Sequence, residues 1–202
     1  MIPDQIFQQA AKAFAANQRN AIIAARLARH LQGSGQTEKA IDVLKKALEA
    51  NNTDRRLHYT YARLLMGTTP GDGENIAYHL QRAFTDGDNN YEAQLLLGRQ
   101  LFLNGRLEES RAVFRRLSAV RVAPEIKNRL LHPIDGRRFE GRMTRPQGSY
   151  AFITRDGPAD SIYVHATNVP EDVWDVLTLG TRVRFSIAFS LRGPNAFDLE
   201  II

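Results

Sequence analysis

The chain has 202 residues, 43% hydrophobic and 24% charged, with a formal charge of +5, an ordinary globular composition with length enough for two small domains. It contains no cysteine, which excludes a disulfide framework, a thiol nucleophile and a thiolate metal site. Residues 1–131 carry 19 Lys and Arg against 13 Asp and Glu, whereas residues 132–202 carry 8 against 9, so the excess positive charge belongs to the first part.

The first residues, Met1-Ile2-Pro3-Asp4-Gln5, show no basic segment followed by an apolar run, and no stretch approaches the roughly 18 apolar residues that spanning a bilayer requires. Neither secretion nor membrane insertion is expected, and the cytoplasm is the expected location. A helix is predicted near residues 4–16. From there to about residue 122 the chain repeats itself with a period near 34 residues. Gly35-Gln36-Thr37-Glu38-Lys39-Ala40 returns as Gly105-Arg106-Leu107-Glu108-Glu109-Ser110, and Gly71-Asp72-Gly73-Glu74-Asn75-Ile76 supplies the copy between them with two extra turn residues. Each copy reads as an apolar-periodic helix, a Gly-containing turn and a second amphipathic helix.

This pattern resembles the tetratricopeptide repeat (TPR), a helix-turn-helix unit that stacks into a curved solenoid. The copies span residues 21–54, 55–90 and 91–122. Small and large positions of the repeat fall on Leu27, Ala28, Leu31, Ala40, Leu44 and Ala47, then on Tyr61, Ala62, Leu65, Ile76, Leu80 and Ala83. In the third copy they fall on Leu97, Gly98, Leu101, Ser110 and Phe114. The family's initial Trp and terminal Pro are absent. A further helix near residues 124–131 is expected to cover the far end, giving a helical domain over 1–131.

The residue after the small position is arginine in every copy: Arg29, Arg63 and Arg99. In the resembling family this position faces the concave groove. The resemblance therefore implies a row of guanidinium groups suited to a protein or acidic peptide, with Tyr59 and Phe102 lining the same groove.

At Pro133-Ile134-Asp135-Gly136 helical periodicity gives way to short alternating runs, so residues 132–137 read as a linker. Strands are predicted over 138–144, 149–155, 161–166, 181–189 and 196–202, a set that fits a small five-stranded antiparallel barrel over 138–202. Alternation places Tyr150 and Phe152 on one strand face, and Tyr163 and His165 on one face of the next. Such rings make a stacking platform for unpaired nucleobases.

The ordered matches in this segment resemble a cold-shock domain, an oligonucleotide-binding (OB) barrel. Ser149-Tyr150-Ala151-Phe152-Ile153 and Ile162-Tyr163-Val164-His165 occupy the family's two ribonucleoprotein motifs. Gly180, Val183 and Phe185 match its penultimate strand, and Arg192-Gly193-Pro194-Asn195-Ala196 matches its last turn. The resemblance implies that Trp174 is a loop ring that stacks on a base. The family's Lys-Trp-Phe-Asn segment is replaced by Thr144-Arg145-Pro146-Gln147, and Ala166 stands where an aromatic follows the His. Two rings are thus missing, at roughly 1–3 kcal/mol per stacked base. Arg145 is a candidate replacement that lies flat on a base. Arg137, Arg138, Arg142, Arg155 and Arg192 are further candidate nucleic-acid contacts.

Signals for catalysis are weak. His30, His58, His79 and His132 have no metal-ligand spacing and read as surface or packing residues. Gly33-Ser34-Gly35 and Gly71-Asp72-Gly73 lack the Lys-Ser/Thr ending of a phosphate loop. Asp86-Gly87-Asp88-Asn89-Asn90-Tyr91 begins like a calcium loop but has Tyr91 at the obligatory glycine position, so it reads as an inter-repeat turn with a helix cap. The expected function is a non-catalytic adaptor without cofactor or metal. Its barrel binds single-stranded RNA or DNA, RNA favoured, and its repeats hold a protein. The alternative is a pure protein-interaction scaffold whose barrel has lost nucleic-acid binding.

Overall fold

The computed structural model describes residues 3–85, 87–132, 136–158 and 160–202. Asp86, and Pro133-Ile134-Asp135 of the expected linker, lie outside these described residues. The chain divides into two compact units, Met1–Gln100 and Leu101–Ile202.

The first unit contains α1 (Pro3–Ala16), α2 (Ala21–Gly33), α3 (Thr37–Ala50), α4 (Arg55–Thr68), α5 (Gly73–Gln81) and most of α6 (Tyr91–Leu103). Through α5, each helix touches the next, and α2 also touches α4, the first helix of the following copy. This is the contact pattern of a helical solenoid. One repeat position supplies the caps. Asn20 Oδ1 accepts the Ile22 and Ile23 amides at 3.1 Å, Asp54 accepts the Leu57 amide at 3.0 Å, and Asn90 accepts the Ala93 amide at 3.3 Å. These bonds satisfy amides that the first helical turn leaves without partners. α2 ends through Gly35 at φ +76°, with the Gln36 amide donating to Leu31 O at 2.8 Å. Glycine makes that left-handed step without steric cost. Ala24, Ala28, Ala40, Ala47 and Ala62 are fully or almost fully buried, and their small size lets helices approach closely.

Between α4 and α5 the unit buries two histidines. His58 Nε2 lies 2.8 Å from Asn52 O, and His58 Nδ1 lies 2.8 Å from His79 Nδ1. A carbonyl oxygen can only accept, so a neutral His58 carries its proton on Nε2 and His79 Nδ1–H donates to it. Tyr61 and Tyr78 meet the His79 ring edge-on at 4.7 and 5.0 Å. Burial first, then His58 and Arg82, push His79 from 6.5 down to about 4, against a smaller opposing pull from Asp72.

The second unit begins with the end of α6, then α7 (Leu107–Ala119) and the single turn α8 (Pro124–Lys127). α7 follows Gly105 at φ +78°, where the Arg106 amide donates to Leu101 O at 2.9 Å, the same closing geometry as at Gly35. The helix expected over 124–131 is therefore shorter than predicted. Leu131 bridges Phe189 as a strand does, with N–H···O distances of 2.7 and 3.0 Å. The barrel comprises β1 (Phe139–Gln147), β2 (Tyr150–Arg155), β3 (Ser161–His165), β4 (Arg182–Ser190) and β5 (Gly193–Ile201), with α9 (Glu171–Trp174) between β3 and β4. Strand order is β1-β2-β3-β5-β4, closed on itself, and the β3/β5 pair alone is parallel. This is an OB-type barrel.

Met143, Ala151, Ile153, Ile162, Val164, Val183, Phe185 and Ile187 fill the interior. β5 begins earlier than predicted, because Gly193, Pro194 and Asn195 already pair with Ser190, Phe189 and Ala188. The turn is thus Leu191-Arg192, and Asn195 Nδ2 closes it by donating to Gly193 O at 2.7 Å and Ser190 Oγ at 3.2 Å. At Gly141 the strands approach so closely that an added Cβ would sit 2.4 Å from Thr154 O.

Gly141→Ala should destabilise the barrel by about 1–3 kcal/mol, because the obstructing atom is backbone, and a shifted urea midpoint would show it. The histidine pair makes stability depend on pH. Burial keeps His79 neutral in the folded state, so its contribution is complete above pH 6.5 and disappears as pH falls toward 4. The loss should reach roughly 3 kcal/mol, and His79→Gln should flatten that limb of a urea-midpoint profile against pH.

Candidate functional site

The outward face of β1–β3 is built by strand alternation. Ala151, Ile153, Ile162 and Val164 point into the barrel and are at most 1% exposed. Tyr150, Phe152, Tyr163 and His165 therefore point outward, where all four are half-exposed. Cross-strand register places Tyr150 opposite His165 and Phe152 opposite Tyr163. Tyr150 and Tyr163 stack with centroids 5.9 Å apart, and Phe152 meets both edge-on at 6.1 and 5.7 Å. His165 lies 6.4 Å from Tyr163. The face is a continuous aromatic sheet whose rings order one another.

Local hydrogen bonds fix its margin. Tyr150 Oη donates to Gln147 Oε1 at 2.8 Å. His165 Nδ1 accepts the Thr167 amide at 3.2 Å, which places the proton of the neutral ring on Nε2. Trp174, half-exposed at the end of α9, donates its indole N–H to Gly148 O at 3.2 Å and is tied to the β1–β2 turn. Burial, and to a smaller degree Tyr150, raises the Tyr163 phenol, against a lowering by Arg192.

The barrel's arginines divide into two sets. Arg138 pairs with Asp198 and, at 3.0 Å, with Glu200. Arg182 pairs with Glu140 and Asp156 at 3.2 and 3.0 Å, and Arg184 pairs with Glu140 at 2.9 Å. The Arg184 hydrogen bond, helped by Arg182, holds the Glu140 carboxyl below its ordinary range. Arg155 makes two hydrogen bonds to Asp160 at 2.9 and 2.8 Å, with side chains only 9% and 6% exposed. Its guanidinium lies 4.6 Å from the Phe102 ring and 5.2 Å from Phe139. Arg155, expected to contact phosphate, is instead a buried structural ion. Arg142, Arg145 and Arg192 are exposed and form no ion pair among the described residues.

Arg145 sits at φ +48°, where the β1/β2 register shifts between Thr144 and Gln147. Pro146 cannot donate to a ladder, so the strand bulges there and continues to Gln147, beyond its predicted end. Holding a non-glycine residue in that region costs about 1–2 kcal/mol.

In the first unit, Arg29 and Arg63 are exposed on α2 and α4, and Arg99 is half-buried on α6. Arg29 Nε turns back to Ala25 O at 3.3 Å. Arg63 donates to Tyr59 Oη at 3.3 Å and pairs with Glu92 at 2.5 Å. Burial, then the hydrogen bond to Glu92, raises the Tyr59 phenol, while Arg63 lowers it. Phe102, expected to line the same groove, is 5% exposed and lies edge-on to Phe189 at 5.4 Å. Its ring serves packing rather than an open surface. No local signal in the sequence marks the His58–His79 pair, because twenty-one residues separate the two positions and they lack a metal-type spacing. Among the described residues no helix is long and apolar enough to cross a membrane, and no group of side chains has the makeup of a metal site.

A tetratricopeptide-repeat family model matches residues 3–68. No curated protein matches the sequence significantly. Among solved structures the chain is similar to MamA, at 18% identity and a TM-score of 0.48, covering 58% of this chain and 68% of that one. It is also similar to residues 41–end of MamA from Desulfovibrio magneticus RS-1, at 16% identity and a TM-score of 0.44, covering 56% and 63%. A third likeness is to YrrB, described as a TPR protein with an unusual peptide-binding site, at 20% identity and a TM-score of 0.46, covering 53% and 54%. None of these likenesses is close enough to bear on function. The family match itself supports a protein-interaction role for the helical unit.

Asp160→Asn should leave the Arg155 charge buried without a counterion. A loss of about 3 kcal/mol in the barrel's unfolding free energy is expected from near-ultraviolet circular dichroism in urea.

Proposed function

We propose that the protein is a non-catalytic adaptor whose barrel, of cold-shock type, binds single-stranded nucleic acid, RNA favoured, while its repeats hold a protein or acidic peptide. The observation that carries this reading is the outward, half-exposed set Tyr150, Phe152, Tyr163 and His165, with exposed Arg142 and Arg145 on the paired strand β1 and Arg192 in the β4–β5 turn. Stacking on those rings recognises a base by its π face, and the arginines supply phosphate contacts. Trp174 and the Nε2–H of His165 extend the surface at the β1–β2 turn. For the helical unit, Arg29, Arg63, Arg99 and Tyr59 form the partner surface, with Glu92 as the carboxylate that an acidic ligand displaces from Arg63. That exchange is cheap, because both side chains are about half exposed and such pairs contribute at most about 1 kcal/mol.

Fluorescence anisotropy with short labelled single strands tests the platform. Tyr150→Ala/Phe152→Ala/Tyr163→Ala should weaken binding at least about thirtyfold, from loss of two or more stacking contacts. Equal binding by wild type and variant would remove the platform from the mechanism. Absence of binding by the wild type even at about 50 mM salt would favour the pure scaffold, whose partner capture should then be lost in Arg63→Glu.

A further inference from the structure

A second surface of the Leu101–Ile202 unit continues from the aromatic face. A cleft of about 300 Å³ opens between α7 and the adjoining parts of β3 and the β4–β5 hairpin. Its apolar wall includes Phe114 and Pro194, and Arg111, Arg115 and Arg192 line its polar side. Arg111 and Arg115 are four residues apart on α7 and share one helix face. Ser161 and Ile162 also line the cleft, and the next residue along β3 is Tyr163 of the platform. Arg192 lines the cleft from the β4–β5 turn, with its Nε donating to Asn128 Oδ1 at 2.8 Å.

Charge gives the surface a direction. Around Trp174 the chain carries Glu171, Asp172 and Asp175, which repel phosphate. At the α7 end the one carboxylate lining the cleft, Asp160, has its oxygens engaged by Arg155. Arg111 pairs with Glu108 at the surface, where the carboxylate side chain is 84% exposed and such a pair contributes at most about 1 kcal/mol.

We infer that a single strand bound on the platform continues past Arg192 into this cleft, where Arg111 and Arg115 of α7 contact its phosphates and a base lies against Pro194. The inference rests on the proposed nucleic-acid reading of the barrel and adds an extended path with a polarity. A peptide fits the cleft less well. Its volume does not admit a helix about 10 Å across, and β3 is paired on both edges, so no strand can be added to it.

Anisotropy on the full chain with labelled strands of about 4 and about 10 nucleotides separates the two regions. Arg111→Gln/Arg115→Gln should weaken the longer strand about tenfold and lower its log–log salt slope by about 1.4, two phosphates at about 0.7 each. The shorter strand should bind as in wild type. Arg111→Lys/Arg115→Lys should restore the salt slope, and unchanged thermal melting excludes misfolding as the cause. Unchanged affinity for the longer strand, or equal loss at both lengths, overturns the extended path while leaving the platform intact. Tyr150→Ala/Tyr163→Ala separates the readings, since full retention of both strands would remove the platform itself. A poly-glutamate peptide bound by wild type and lost in Arg111→Gln/Arg115→Gln, with strand affinities unmoved, makes the cleft a protein site and overturns the inference.

Discussion

The second unit depends on the burial of Phe189. Its ring stacks with Phe114 of α7 at 6.0 Å and meets Phe102 edge-on at 5.4 Å, and it is 1% exposed. Arg155 lies over the other side of this cluster, against Phe102 and Phe139, with Asp160 as its counterion. Large rings bring most of the burial energy at such a contact, and the ion pair fixes the geometry around them. From Ser186 to Ser190 the strand is buried on both faces, so this end of the barrel is part of a continuous core. That core holds α7 against β5 and thereby forms the cleft beside the platform.

The opposite demand governs the β1–β3 face. A closed barrel has no free edge, so its backbone is not available for strand addition, and recognition falls to outward side chains. The rings there are ordered by one another rather than by a cover, and four of the carboxylates of the barrel are engaged elsewhere. Glu140, Asp156, Asp198 and Glu200 neutralise Arg138, Arg182 and Arg184 on the β1, β4 and β5 side. A segment whose net charge is slightly negative therefore still presents Arg142, Arg145 and Arg192 without ion-pair partners among the described residues, with Glu171, Asp172 and Asp175 confined to the Trp174 end. Charge summed over a segment conceals this segregation, because cross-strand pairing matches residues far apart in the chain, such as Glu140 and Arg184.

Local physics made much of the architecture legible. The turn at 86–91 reads as one that ends in a helix cap, and Asn90 does cap α6, while the matching caps at Asn20 and Asp54 emerge only in the structure. The small positions Ala28, Ala40 and Ala62 are buried where the repeat pattern puts them, and the alternation in Tyr150–Phe152 and Tyr163–His165 settled which rings face out. Strand ends were less legible. Pro146 reads as a terminator, yet the bulge at Arg145 carries β1 past it, and Pro194 reads as turn although it already pairs with Phe189. The residues at 124–131 have helical composition, but the Leu131 amide and carbonyl find partners on Phe189, which outweighs weak helical propensity in a short segment.

The sequence alone established a run of paired helices followed by five short strands, and it picked out the outward aromatic residues, because periodicity and alternation are local properties of the chain. Which arginines are neutralised was fixed by folding, as was the withdrawal of Phe102 into a packed cluster and the meeting of His58 with His79. Each of these depends on side chains that become neighbours only when distant segments come together, and no spacing rule along the chain encodes such a pairing.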